Sequence, residues 1–309
     1  MVKRALIQNL SDIDIRLVRI FLTVTECGGF AASELELNIG RSTISKHISD
    51  LEMRVGMKLC NRGPSGFSLT PEGEMVLASA QRLLAHIDAY QAEIDDIHTT
   101  LTGTLRLGVF DQSSTNPNAR LHDTIRKFDR IAPEVELEIT LATPSNLEAR
   151  VIDGTLDLAI VPIHRKSSQL NYLPIYTERM TLYCGRGHEL FGTPSDVPLE
   201  ELNLRRFKYA GYAFNSPNMK AGQNLGVKRA ARVQEEEALA LLIQSGRYIG
   251  YLADHVAETF VNHERVWPVA PVETGYSSTF AAITRKKPEP TRKTIEFVEC
   301  LKTVHPREN

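Results

Sequence analysis

Between Gly40 and Ser49 the chain reads Gly-Arg-Ser-Thr-Ile-Ser-Lys-His-Ile-Ser, a run of small hydroxyls and basic side chains with little bulk between them. Those residue types suit phosphate and base-edge chemistry. Ser, Thr and Lys donate to phosphate oxygens, and an Arg can set its fork on O6 and N7 of guanine. Ile44, Ile48, Leu51 and Val55 recur at steps of four, three and four, which is one apolar stripe of a 3.6-residue helix. With Ile44 at the centre of the stripe, Ser42, Lys46 and Ser49 lie opposite, and Thr43 and Ser45 lie on the flanks. Arg41 falls toward the buried side, where a long stem is needed to reach a base. An ordinary amphipathic surface helix has the same pattern, so the neighbouring elements decide what the helix is for.

Those neighbours form a positioning frame. Ile13, Leu17, Val18, Phe21 and Val24 give a first helix a buried face, Ser11 with Asp14 starts it in capping-box fashion, and Gly28-Gly29 stops it. A second, short helix follows Phe30. Downstream, Leu59–Arg62 and Phe67–Thr70 are predicted strands around the turn cluster Gly63-Pro64-Ser65-Gly66. Three helices and a hairpin make a winged helix-turn-helix.

The ordered set Phe30, Leu37, Ile39, Ser45, Leu51-Glu52, Gly56, Leu59, Arg62 and Leu69-Thr70-x-x-Gly73 resembles the LysR-type transcriptional regulators, and the likeness extends along the whole chain. The chain departs from the family pattern at Ser33-Glu34, where Ala-Ala is usual, at Gly40-Arg41, where Ser-Gln is usual, and at Cys60, where Phe is usual. These departures bear on base preference and leave the motif intact. The DNA-facing set that the resemblance implies is Phe30, Gly40, Arg41, Ser42, Thr43, Ser45, Lys46, His47, Ser49, Arg62 and Ser65. At Arg41 a base contact and a phosphate clamp stay open alternatives.

From Pro71 a long helix is expected. Val76, Ala80, Leu83, Ile87, Tyr90, Ile94, Ile97 and Leu101 alternate at steps of four and three, a repeat that calls for a helical partner along its seam. Packing on its own domain is the competing reading. The strictness of the repeat favours dimerisation through Leu83, Ile87, Tyr90 and Ile94. In the family this is the linker helix, pairing antiparallel with that of a second subunit.

Beyond Gly103 strands and helices alternate. Leu105, Leu107 and Val109, then Val135, Leu137, Ile139 and Leu141, then the apolar run Leu156–Pro162 are strands, with helices marked by Leu121, Ile125 and Phe128 and by Leu147–Ile152 between them. That β-α-β-α-β order is the mark of a largely parallel sheet. The resemblance implies a two-lobed type II periplasmic-binding-protein-like effector domain. The whole chain is thus α/β, with a winged helix-turn-helix at 1–72, the linker helix at 73–102 and the effector domain at 103–309. One lobe is placed at 103–162 and 268–309 and the other at 163–267, with crossovers near Pro162-Ile163 and Trp267-Pro268.

In such a fold a small ligand sits between the lobes at helix N-termini, whose free N–H groups suit a carboxylate or similar anion. The resemblance points to the loop Asp111–Asn116, with Ser113, Ser114, Thr115 and Asn116, to the turn Thr143–Asn146, with Thr143 and Ser145, and, from the other lobe, to Asn215 and Ser216 as the candidate effector contacts. Each of these residues can equally be a plain helix cap.

Composition excludes several classes. The net charge of −2 argues against a protein that coats nucleic acid, while Arg41, Lys46, Arg54, Lys58 and Arg62 outweigh Asp50 and Glu52 locally. Cys27, Cys60, Cys184 and Cys300 are scattered without metal-ligand spacing. There is no G-x-S-x-G, the histidines have no metal spacing, and Gly185-Arg186-Gly187-His188 lacks the lysine of a phosphate loop. The expectation is a non-enzymatic cytoplasmic regulator without cofactor, metal or membrane span. Its expected partners are a duplex operator, a small-molecule effector, its own copies as a dimer or dimer of dimers, and RNA polymerase if it activates. The alternative is a two-lobed solute-binding or transferase domain without a specific DNA-binding role.

Overall fold

The computed structural model describes residues 10–63, 66–95, 100–214 and 216–306. The chain divides into two compact units, Met1–Ala89 and Tyr90–Asn309.

In the first unit α1 (Asp12–Glu26) begins where the Asp14 carboxylate accepts the N–H of Ser11 at 2.9 Å and its hydroxyl at 2.6 Å. Arg54 of α3 (Arg41–Val55) engages the same buried carboxylate, with one guanidinium nitrogen at 2.7 Å. The Arg54 bonds first, and the Ser11 hydroxyl second, hold the Asp14 carboxyl well below the usual carboxylate range. The pair ties α1 to α3. Between them α2 (Ser33–Leu37) ends at Asn38, which takes the left-handed turn at φ 50°. Leu17, Phe21, Val24, Ile44, Ile48 and Leu51 interdigitate as one core. Ile13 departs from expectation: it is 63% exposed, because the α1 stripe begins one turn later, at Leu17.

The hairpin is β1 (Cys60–Gly63) and β2 (Gly66–Leu69), antiparallel. Its base explains two motif elements. Glu52 Oε1 accepts the N–H groups of Leu59 and Cys60 at 2.8 and 3.2 Å. Thr70 donates its hydroxyl to Lys58 O at 2.7 Å and accepts Gly73 N–H at 2.9 Å. At Gly73 a Cβ would lie 2.1 Å from Leu59 O, so no side chain fits there.

Helix α4 (Pro71–Asp95) follows. Val76, Leu77, Ala80 and Leu84 pack on the winged-domain core, whereas Tyr90 and Ile94 are 64% and 46% exposed. The regular seam therefore serves two ends: its first turns belong to the chain's own core. Leu101 is a correction, since it lies past the helix and is buried in the core of the second unit. Ile97 is outside the described residues.

The second unit opens with β3 (Gly103–Val109), α5 (Leu121–Ile131), β4 (Val135–Leu141), α6 (Pro144–Ile152) and β5 (Leu158–Pro162), with β3 parallel to both β4 and β5. β4 is an edge strand, which leaves Ile139 and Leu141 exposed despite the alternation. Next come β6 (Leu170–Gly185), β7 (Tyr209–Tyr212), α7 (Pro217–Asn224), β8 (Arg229–Val233) and α8 (Glu236–Gln244). The chain closes with β9 (Ile249–Ala253), α9 (Asp254–Val261), β10 (Val266–Pro268), α10 (Pro271–Thr274), β11 (Tyr276–Arg285) and α11 (Arg292–Val304). The sheet order is β4-β3-β5-β11-β6-β9-β7-β8, with β10 pairing β6.

The lobe boundaries at 162/163 and 267/268 do not coincide with the change of strand partners. β6 pairs β11 from Leu170 to Met180 and β9 from Met180 to Cys184. The change of partner thus falls inside one long strand, at Met180, opposite the start of β11 at Tyr276. Proline is normally unwelcome within a sheet, and Pro174 of β6 sits beside the register shift at Phe280/Ala281. No described helix is long and apolar enough to cross a membrane.

Candidate functional site

In the apolar stripe of α3, Ile44, Ile48 and Leu51 are fully buried and Val55 is half-buried, so its far side is fixed outward. Arg41, Ser42, Thr43 and Lys46 are exposed; Ser45, His47 and Ser49 are half-buried, with the Ser49 hydroxyl donating to Ser45 O at 2.9 Å. Gly40 is the exposed N-cap in an extended conformation, and a Cβ there would meet nothing within 4 Å, so a partner could approach this turn closely. Phe30 is a correction. It is 9% exposed and packs edge-to-face on Phe67 with ring centroids 5.6 Å apart, which makes it part of the wing–helix core and removes it from the DNA-facing set. Arg62 lies in β1; Ser65 is outside the described residues.

The departures from the family pattern have structural partners. Ser33 is buried and donates to Gly29 O at 3.0 Å and Phe30 O at 3.1 Å, closing the α2 entry. Glu34 accepts the Arg41 N–H at the start of α3.

In the second unit the β3–α5 loop reaches across to the far lobe. Asp111 Oδ2 accepts Glu236 N–H at the start of α8 at 2.9 Å. Asn116 donates to Glu178 at 3.2 Å, and Thr115 meets His255 Nδ1 at 3.1 Å, whose Nε2 lies 3.4 Å from Glu178. Of the candidate contacts, Ser113 is buried and donates to Phe110 O at 2.8 Å; Ser114 is exposed. Ser216 is buried and caps α7 by accepting Met219 N–H at 3.2 Å. Asn215 is outside the described residues.

A pocket of about 540 Å³ opens beside this loop, lined by Phe110, Asp111, Thr143, Asn146, Arg150 and Glu235 among others. Thr143 is the N-cap of α6 and Ser145 lies half-buried in its first turn. Asn146 belongs to the turn singled out in the sequence, whereas Arg150, Glu178, Glu236 and His255 were missing from the sequence-derived set. Glu236 gives a signal in hindsight, as an acidic residue at a helix start where Asp111 already holds the N–H. The others are ordinary polar residues that only the fold brings together.

Residues 15–74 match the bacterial regulatory helix-turn-helix protein family, lysR type, and residues 98–306 match the LysR substrate binding domain. The chain belongs to the LysR family of transcriptional regulators. It is 37% identical to the HTH-type transcriptional activator BauR of Pseudomonas aeruginosa, over 95% of this chain and 96% of that protein. The crystal structure of CbnR, a LysR family transcriptional regulator, shares the fold with TM-score 0.65 at 18% identity, covering 95% of this chain and 99% of CbnR. Full-length CbnR in complex with its target DNA superposes with TM-score 0.63 at 19% identity, covering 94% and 99%. As a LysR-type regulator the chain is a DNA-binding protein with an effector-binding domain, and the free-standing solute-binding or transferase alternative falls away.

Proposed function

We propose that the chain binds a partly palindromic operator as an oligomer, laying α3 of two subunits in successive major grooves, and that a small molecule in the interlobe cleft changes that assembly. The exposed face of α3, with Arg41, Ser42, Thr43 and Lys46 opposite a stripe buried in the domain core, is the observation that carries this reading. Leu83 and Ile87, half-buried, and the exposed Tyr90 and Ile94 are the proposed dimer seam. Two dimers assembled into a tetramer would span two operator sites in the cytoplasm. The P. aeruginosa relative is described as an activator, and activation here would engage RNA polymerase.

Thr143, Ser145 and Asn146 at the start of α6, with Arg150 one turn on, are the proposed seat for an effector carboxylate, since free helix N–H groups and a guanidinium favour an anion. Ser114 and Thr115 would close over it. Footprinting of the intact chain on the DNA flanking its own gene tests the reading. Two protected half-sites about one helical turn apart are expected; protection without sequence preference would overturn it.

A further inference from the structure

The end of the cleft next to the β3–α5 loop gathers carboxylates and aromatic rings. Asp111 Oδ2 accepts the Glu236 N–H at 2.9 Å, and Glu178 meets the same loop through Asn116 at 3.2 Å, so three acids gather about the β3–α5 loop. Burial pushes the Glu236 carboxyl up to about 8; Glu178 and Asp111 add to the rise, and the Ala253 N–H opposes it. Of the basic groups nearby, Arg229 holds Tyr212 O at 2.6 Å and Arg179 holds Pro271 O and Asp254, while His255 Nε2 lies 3.4 Å from Glu178. An independent feature points to a missing partner. The Tyr176 side chain is 7% exposed and its hydroxyl has no hydrogen-bond partner. Burial pushes this phenol up and the Glu178 charge adds to it, while Ser113, whose own proton goes to Phe110 O, leaves its hydroxyl oxygen to accept and opposes the rise. The Tyr176 ring stacks on Phe280 at 4.8 Å, and Phe110 continues the aromatic wall toward Tyr212.

We infer that this end of the cleft seats a primary ammonium, making the effector a small zwitterion that spans from Glu178, Asp111 and the Tyr176 hydroxyl to the start of α6. Like-charged acids held together in a closed space are relieved by a cation. An ammonium offers three N–H donors to carboxylate and phenol oxygens, and aromatic faces attract it. A hard divalent ion wants six or more oxygens around it, whereas this site offers rings between its acids. Asp111 and Phe110 also line the pocket that holds Thr143, Asn146 and Arg150, so both charged ends of one short molecule share a wall. The inference rests on the cleft reading proposed above and adds the cationic half.

Calorimetry and thermal shift on the intact chain test it, using straight-chain amino carboxylates of graded length, their deaminated counterparts, simple alkylamines, and magnesium ion alone. An amino carboxylate should bind at least about ten-fold more tightly than its deaminated counterpart. Its binding should release protons as Glu236 ionises against the cation, seen as a buffer-dependent heat. Glu178→Gln keeps a carbonyl oxygen for Asn116 and should remove the amine preference while weak carboxylate binding persists; retained operator binding reports that the variant is folded. Equal binding of deaminated and amino compounds, binding of magnesium alone, binding of no amino compound, or an unchanged preference in Glu178→Gln each overturns the inference. Asn146→Ala and Arg150→Met separate the two readings. If they weaken every carboxylate while Glu178→Gln changes nothing, the cleft stands and the ammonium falls; if they too change nothing for a compound that binds, the cleft reading itself falls.

Discussion

The Glu34 carboxylate of α2 accepts the backbone N–H of Arg41, the first residue of α3, at 2.5 Å. A side chain from one helix thereby takes a free N–H at the start of the next, a capping arrangement that fixes the turn between them. It also removes that N–H from competition for a DNA phosphate. The Arg41 side chain is left exposed and uncommitted to the cap. Both residues stand where the family pattern has others, but the bond uses the backbone of residue 41, so it depends on Glu34 and leaves the Arg41 side chain independent.

Arg41→Gln is expected to change which base is selected at one symmetric pair of operator positions, with discrimination on the order of 1–3 kcal/mol. The backbone bond to Glu34 survives the substitution, so stability should change by less than about 0.5 kcal/mol. Selection from a randomised operator library checks it. An identical consensus from both proteins, with uniformly weaker binding, would assign Arg41 to a phosphate clamp.

Lys46 lies exposed on the face opposite Ile44 and Ile48. Lys46→Ala is expected to weaken binding to specific and unrelated DNA alike and to lower the slope of log affinity against log salt by about one. Gel-shift titrations at several salt concentrations measure both quantities. An unchanged slope would show that Lys46 neutralises no phosphate.

Ile94 is 46% exposed at the end of α4 whose early turns are committed to the winged domain. Ile94→Asp should therefore leave monomer stability within about 0.5 kcal/mol, because a surface carboxylate costs little. Against a partner helix the same carboxylate would be desolvated, at a cost of several kcal/mol. Light scattering should show a smaller species, and operator affinity should fall with it. An intact oligomer would place the seam elsewhere.

Much of this architecture was legible in the chain. Periodicity located α3, α4 and the β3-α5-β4-α6-β5 run because their burial follows one local period. It misled wherever burial depended on an edge: Ile13 lies before the first packed turn, and Ile139 and Leu141 lie on an edge strand. Phe30 was read from its place in a family pattern, which cannot distinguish a residue that touches DNA from one that holds the wing in place. The cleft was the least legible part. Glu178 and Glu236 are separated from Asp111 by long stretches of sequence, and only strand pairing brings the three acids together. The hydroxyls that drew attention, Ser113 and Ser216, serve the local backbone.

Glu236 should make the effector domain lose stability as pH rises. Its carboxyl has an ordinary value of 4.5 and a folded value pushed up to about 8, first by burial and then by Glu178 and Asp111, with the Ala253 N–H opposing. Between these values the folded chain keeps a proton that the unfolded chain has released. Stability is then full below about 4.5 and declines as pH rises through about 8, by a few kcal/mol in all. Asp111 and Glu178 face Glu236, so the parent curve alone does not isolate it. Glu236→Gln keeps a carbonyl oxygen for the Ala253 N–H and carries no charge at any pH. The difference in unfolding free energy between parent and variant, measured from pH 5 to 9, should therefore slope against the parent as pH rises and level off above about 8. A difference that stays flat would mean that Glu236 is ionised in the folded chain throughout, with a cation already beside it.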